Sequence, residues 1–413
     1  GPVQLPLAGI RVLDLTAWWA GPSATHMLGC LGADVIHIES IQRIDGMRTT
    51  GGMLASSVEQ WWECSAFFLS ANANKRGLTL NLTEDRGVAI LEQLIQTADA
   101  VIENFTPRVL DNFGMSWERI QAANPQTIFV RMPAFGLDGP WRDHTGFAQT
   151  MEQMTGLAWV TGHRDDQPRI QRGPCDPLAG MHGAFAFLVA LAERRGLGRG
   201  VHVEVAMVEG ALNAAAEQLI EFTAYGHLMG REGNRSPNAA PQGLYACRGS
   251  EPGRELWLAL SIERDAEWTA LREQLGRPAW SKSLDTHTAR RAAHDRIDAE
   301  LRPWFAQRDR DETVEQLVDA GVPAAIVRDP RTTSQNPQHI ARRFYEPLDH
   351  PIVGTHPIAT VPFRYASVER WLRQSAPTLG QHNREILTEL GLEEAEIRAL
   401  EADGIIGDRP EGK

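Results

Sequence analysis

The sequence predicts a doubly wound α/β fold, and three observations carry that prediction. Residues 9–39 read strand, helix, strand in so short a span that the two strands must run parallel. The alternation continues to about residue 205. A run of turn formers over 230–243 then sets off a smaller α+β region.

In chain order, 9–16 is predicted as a strand, Ser23 to Leu31 as a helix stopped by Gly32, and 34–39 as the second strand. Leu78 to Leu82 reads as a strand, 84–98 as a helix, 99–105 as a strand, 108–124 as helices and 127–132 as a further strand. Val201 to Met207 forms a strand and 207–225 an amphipathic helix. The middle region has strands at 243–248 and 255–262 and helices near 264–275, 288–308 and 311–320. Strand-like runs follow between 335 and 375, then a helical pair ending near Asp403. This places a large domain at 1–225, a small domain at 226–334 and a return segment at 335–413.

Bulk composition narrows the function classes. A net charge of −12 with no basic stripe argues against nucleic acid as a partner. Apolar runs are broken well short of the ~20 residues of a membrane span. Cys30, Cys64, Cys175 and Cys247 lie far apart without C-x-x-C spacing, so neither a disulfide scaffold nor a zinc site is expected and a cytoplasmic setting is the default. No histidine pair has metal-ligand spacing, so no metal is expected. The start lacks a basic and apolar leader pattern, and Gly1-Pro2 reads as a tag-cleavage remnant. The first turn, Ala17 to Pro22, has no G-x-G-x-x-G, which disfavours a dinucleotide held on closely spaced glycines.

One carboxylate stands out. Asp176, followed by Pro177, opens an apolar helix whose periodic positions run from Leu178 to Leu191. An Asp-Pro pair there is an ordinary helix cap. The same position along a helix dipole favours the ionised form of a nucleophile.

Five separated segments resemble the class III CoA-transferases, the family of carnitine CoA-transferase and bile-acid-inducible protein F. They are Leu7 to Leu15 with Ala20-Gly21-Pro22, Leu31 to Glu39, Asn74-Lys75-Arg76-Gly77, Glu103-Asn104-Phe105, and Leu379-Gly380-Gln381-His382-Asn383. The resemblance implies a Rossmann-like large domain made from both chain ends, a smaller middle domain, and a homodimer of interlocked subunits. It implies that Asp176 attacks an acyl-CoA thioester, forming first a mixed anhydride and then an aspartyl-CoA thioester. CoA is then a substrate, with no permanently bound cofactor, and a carboxylic acid is the acceptor. By position, Lys75 and Arg76 are expected at the phosphates or adenine, with Asn104 and Phe105 lining the nucleotide site. Many members carry Arg in the next helix where this chain has Asn112, so Arg108 is expected to replace it. Trp18, Trp19, Phe147, Gln242 and Gly243 are expected around the acyl group, with Trp61-Trp62 able to close the same pocket. Asn238 to Gly243 stands where some members have a mobile glycine run.

Two other functions compete. The α-methylacyl-CoA racemases of similar fold pair the Asp with a His in a Gly-His-Asp segment; here that stretch reads Gly146-Phe147-Ala148, and Phe147 cannot carry a proton. His144 lies three residues away as a poor substitute. A catalytically inactive CoA-binding protein is the third reading, disfavoured by the retained Asp176.

Overall fold

The computed structural model describes residues 4–50 and 57–412; Gly1-Pro2 lies outside them. The chain forms two compact units, one of 1–158, 170–228 and 340–413 and one of 159–169 and 229–339. The stretch Trp159–Arg169, which the sequence places in the large domain, belongs to the second unit. Its backbone is tied there by the Gly233 N–H on the Gly162 carbonyl (2.8 Å) and by Arg231 Nη1 on the Trp159 carbonyl (2.8 Å).

The first unit runs β1 (Arg11–Asp14), α1 (Ala20–Cys30), β2 (Asp34–Glu39), α2 (Ala66–Ala71), β3 (Lys75–Thr79), α3 (Asp85–Gln96), β4 (Ala100–Glu103), α4 (Pro107–Asn112), α5 (Trp117–Ala123), β5 (Ile128–Arg131), α6 (Ala148–Met154), α7 (Cys175–Leu197), β6 (His202–Glu204), α8 (Met207–Ala214) and α9 (Ala216–Tyr225). Its six strands are all parallel in the order β3-β2-β1-β4-β5-β6. Two apolar layers cover the sheet. One holds Leu28, Val130 and Phe187, the other Leu13, Ile36, Leu94 and Ile397, as expected for strands buried on both faces. The order reverses between β1 and β4, and in open α/β sheets ligands bind at such a switch point, outside the carboxyl ends of the strands.

Strand β3 starts at Lys75, three residues earlier than the apolar run at 78–82 implies. Its ladder with β2 pairs Val35 with Lys75 and Glu39 with Thr79. A buried lysine is tolerated because Nζ meets Asp14 (3.0 Å), Thr25 (2.8 Å), Asn72 (2.8 Å) and the Pro22 carbonyl (3.0 Å). The outer edge of β3 is covered by the late Gly-Gln-His-Asn segment. The Gly77 N–H donates to His382 Nδ1 (2.9 Å), and the Thr79 N–H to Asn383 Oδ1 (2.9 Å).

The second unit has a three-stranded antiparallel sheet of β7 (Gln242–Ala246), β8 (Trp257–Ser261) and β9 (Ala324–Ile326), in the order β7-β8-β9. Helices α10 (Asp265–Gln274), α11 (His287–Ala292), α12 (His294–Ala306) and α13 (Arg310–Asp319) accompany it, with Trp268, Ile297 and Phe305 in its core. After α14 (Pro337–Ala341), the hairpin β10 (Tyr345–His350) and β11 (Gly354–Ala359) precedes α15 (Asn383–Glu389) and α16 (Glu394–Ala402).

Helix α7 packs along α1, and small residues set the approach. A Cβ on Gly180 would stand 2.6 Å from the Ala20 carbonyl oxygen and 2.9 Å from Ser23 Cβ. Ala179, Gly180, Gly183 and Ala184 form the buried stripe, while Met181, Phe185 and Val189 are exposed on the other side. By length and composition α7 is apolar enough to cross a membrane, but its inner stripe is spent on the core of this unit.

Candidate active site

The carboxyl ends of the strands surround a cavity of about 510 Å³. Leu15 to Trp18 after β1, Ile38 and Glu39 ending β2 with Ser40 and Gln42 to Gly46 after it, Leu80 to Thr83 after β3, and Asn104 to Thr106 after β4 contribute its wall, with Ala134 after β5. Phe147, Asp176 and Met207 also face it. The cavity sits at the switch point between β1 and β4.

Asp176 is the second residue of α7, whose N-cap is Pro174. No side chain caps this helix, so the carboxyl is not spent on the backbone as the Asp-Pro reading allowed. It is half-buried, and burial together with the neighbouring Glu152 carboxylate pushes its pKa up from 3.8 to about 7. The helix dipole, expected from the sequence to favour the charge, is outweighed. Glu152, on α6, is fully buried, and burial raises its pKa as well. Sequence reasoning missed Glu152 because a lone glutamate on a short polar helix reads as solvated surface.

The loop after β1 is held in an unusual shape. Trp18 adopts φ +67°, and its N–H donates to Asp45 Oδ1 at 2.8 Å. Its indole lies on Gly46, where a Cβ would come within 2.2 Å of the ring. Asn104 closes the loop from β4, accepting from the Ala17 N–H (2.9 Å) and donating to the Ala17 carbonyl (2.8 Å). Trp18 meets Phe147 edge to face, with ring centroids 5.2 Å apart, forming an apolar corner of the cavity.

The expected site residues divide. Asp176, Trp18, Phe147, Asn104 and Phe105 all face the cavity. Lys75 does not: its ammonium is sealed among four oxygen acceptors with no exposed surface, so it has no free donor for a phosphate. Arg76 is engaged by Asp34, Glu385 and Glu389, each at 2.8 Å, and ties α15 to the sheet. Arg108 is exposed on α4 but off the wall that its neighbours Thr106 and Val109 line. Trp19 meets Phe67 edge to face and backs onto Gly173, supporting the turn before Asp176 from outside the cavity. Trp62 is buried against Trp61, and neither reaches the cavity wall. Gln242 and Gly243 belong to β7 of the second unit. His144 stacks on Trp141 and is not on the wall. The wall does carry Arg43, the exposed cation of the 40–46 loop, which no sequence pattern singled out.

A Rossmann-type sheet with a cavity at its switch point, and a carboxyl held uncapped at a helix start facing that cavity, defines an α/β protein built to bring a small-molecule ligand against an acidic side chain. The chain belongs to CoA-transferase family III, whose model matches residues 7–383, and it is an enzyme of that class. It is 32% identical over 405 residues to the succinyl-CoA–D-citramalate CoA-transferase of Chloroflexus aurantiacus, covering 97% of this chain and 98% of that one. It is 30% identical to the formyl-CoA:oxalate CoA-transferase of Streptomyces avermitilis, covering 97% and 99% of the two chains. A CaiB/BaiF family protein from Brucella suis superposes with a TM-score of 0.85 at 29% identity, covering 94% of this chain and all of that one.

The raised pKa of Asp176 has a consequence for stability. A carboxyl near 3.8 when unfolded and about 7 when folded binds its proton more tightly in the native state, so stability is lost as pH rises through that window. Asp176→Asn removes this cost. Its melting temperature should exceed that of the parent by a margin that grows from about pH 4 to about pH 7 and then levels off. Thermal melts across that range test it; a margin independent of pH would show that the carboxyl is not perturbed.

Proposed function

We propose that this protein is an acyl-CoA:carboxylate CoA-transferase working by covalent catalysis on Asp176. The observation that carries the reading is the uncapped, half-buried Asp176 carboxyl on the cavity wall. The carboxylate oxygen attacks the thioester carbon of the donor; the C–S bond breaks and CoA leaves as thiolate, giving a mixed anhydride. The thiolate then attacks the Asp176 carbonyl, releasing the donor acid and leaving an aspartyl-CoA thioester. The acceptor acid runs the two steps in reverse. A carboxylate suits this exchange because it is both nucleophile and leaving group between activated acyls of similar energy. A pKa of about 7 leaves a useful fraction ionised at neutrality while making that fraction more basic. The anhydride must be kept from water, and Trp18, Phe147, Ala134 and Met207 give the cavity apolar walls.

For CoA, the loops after β1 to β4 supply the nucleotide side of the cavity, with Phe105 and Asn104 on the wall and Arg43 in the phosphate role first expected of Lys75, Arg76 and Arg108. The Trp18–Phe147 corner favours acyl groups with an apolar flank. An α-methylacyl-CoA racemase is not favoured, since Phe147 stands in the position of the second acid/base and His144 is off the wall. An inactive CoA-binding protein would have no use for an uncapped carboxyl at the cost of its burial.

The proposed assembly is a homodimer, with the interlocked form drawn from the family resemblance, in a cytoplasmic setting in keeping with four free cysteines. It is supported by apolar surface that this chain leaves open. Met181, Phe185 and Val189 recur on one face of α7, and α9 carries Leu219, Ile220 and Phe222 with no buried residue.

Three measurements test this. Incubation with an acyl-CoA donor followed by hydroxylamine should give a hydroxamate on Asp176, found by peptide mass spectrometry and absent in Asp176→Asn; transfer without it would overturn the mechanism. Arg43→Ala should raise the KM for acyl-CoA about tenfold, more at low salt than at high, with kcat little changed; an unchanged KM removes Arg43 from the phosphate site. Sedimentation velocity should return twice the chain mass, and a monomer active at the same dilution would refute the dimer.

A further inference from the structure

Glu152 is a buried carboxyl beside the Asp176 turn that the reaction as written leaves unused. It lies on α6, has no exposed surface, and both carboxyl oxygens lack a hydrogen bond of full geometry. They face the backbone N–H groups of Gly173 and Cys175, in the turn that delivers Asp176 to the cavity. The titratable groups interacting with it are Asp176 and the Cys175 thiol, both on α7, and no cation among the described residues offsets its charge. A buried carboxyl so placed is costly, and a glutamine would serve the same N–H groups without that cost.

We infer that Glu152 is a positioning residue for Asp176, supporting the turn Gly173–Cys175 from the protein side and using its like charge to favour the acylated over the free form of the nucleophile. This rests on the covalent reading above. While Asp176 is a free carboxylate, the two negative charges repel across a poorly solvated gap. When Asp176 Oδ bonds to the acyl carbon, the electron pair of the broken C–S bond leaves with sulfur and Asp176 becomes neutral. The repulsion ends there, and no proton need move. The like charge therefore raises the energy of the state before acylation and leaves the covalent state untouched.

Glu152→Gln keeps the size and an acceptor oxygen and removes the charge. The acidic limb of its kcat/KM profile should move to lower pH by about half a unit or more. At a fixed acyl-CoA concentration the hydroxylamine-trapped fraction should fall severalfold. An unmoved limb, or equal trapping, would reduce Glu152 to a structural role. The reciprocal measurement needs no turnover: infrared titration of the protonated carboxyl stretch, comparing the parent with Asp176→Asn, should show Glu152 losing its proton at lower pH in the variant. It also serves if Glu152→Gln does not fold. An unshifted band would overturn the pairing, whereas a shifted band in a protein that performs no transfer would overturn the transferase reading alone.

Discussion

A buried chain of charges under the β1 loop is the constraint on which the rest of the site depends. Asp14 accepts from Lys75 Nζ, His37 Nδ1 and the hydroxyls of Thr16 and Thr25, all of them buried. The other His37 nitrogen stands 3.3 Å from Asp45 Oδ2, and Asp45 holds the N–H groups of Trp18 and Met47. Burial alone would push His37 down, but Asp14 and then Asp45 and Glu39 raise it to about 9, so at neutral pH the imidazole bridges two carboxylates as a cation. Burial would likewise raise Asp14, and Lys75 and His37 overturn that, holding it well below the carboxylate range. A second group, Glu39–Arg48–Glu63, joins at the Asp45 N–H and reaches Leu379 in the return segment. Removing one member would strand its partner's charge in the interior, which costs far more than the pair contributes. Such a network is poor at adding stability and good at fixing one arrangement. Here it fixes the left-handed Trp18, and with it one wall of the cavity.

This explains how a Rossmann-type strand order serves a site with no glycine fingerprint. In a dinucleotide fold the first turn is stripped so that pyrophosphate can approach the helix start. Here the turn is filled with Trp18 and Trp19, and α1 begins at Ala20, close against α7. The first turn of α1 is packed side-on against α7, and Asp176 reaches the cavity from the start of that second helix. The switch point is kept, while the element that presents chemistry to it has changed.

The strand and helix order was legible because β1, β2, β4 and β5 are apolar runs between clear turn signals, and the Asp176 helix because its spacing is regular. The start of β3 was not, since Lys75 and Arg76 look like a solvated turn until the partners 61 and 309 residues away are known. The same long-range pairing engages both side chains away from the cavity wall. Arg43 and Glu152 show the opposite failure. Each is an unremarkable residue locally, and only the fold brings one to the cavity rim and the other beneath the Asp176 turn. Trp18 and Trp19 are identical in type and adjacent, yet positive φ at the first sends their indoles to different places. No composition argument could have separated them.

Helix α7 links these observations. Its inner stripe must be small, because Gly180 and Gly183 sit where any side chain would strike α1 or Met132. That close approach sets where the helix begins, and the start carries Asp176. Its outer stripe, Met181, Phe185 and Val189, is large, apolar and exposed. In the proposed dimer the partner covers that stripe, so the helix is clamped on both sides and its first turn has little freedom to relax. A carboxyl raised to about 7 and facing a second buried carboxyl would otherwise escape toward water by a small shift of that turn, regaining solvation and losing the reason for its position. Association and reactivity are on this reading one problem: the surface that drives two copies together is the back of the helix whose front must hold an unfavourable charge in place.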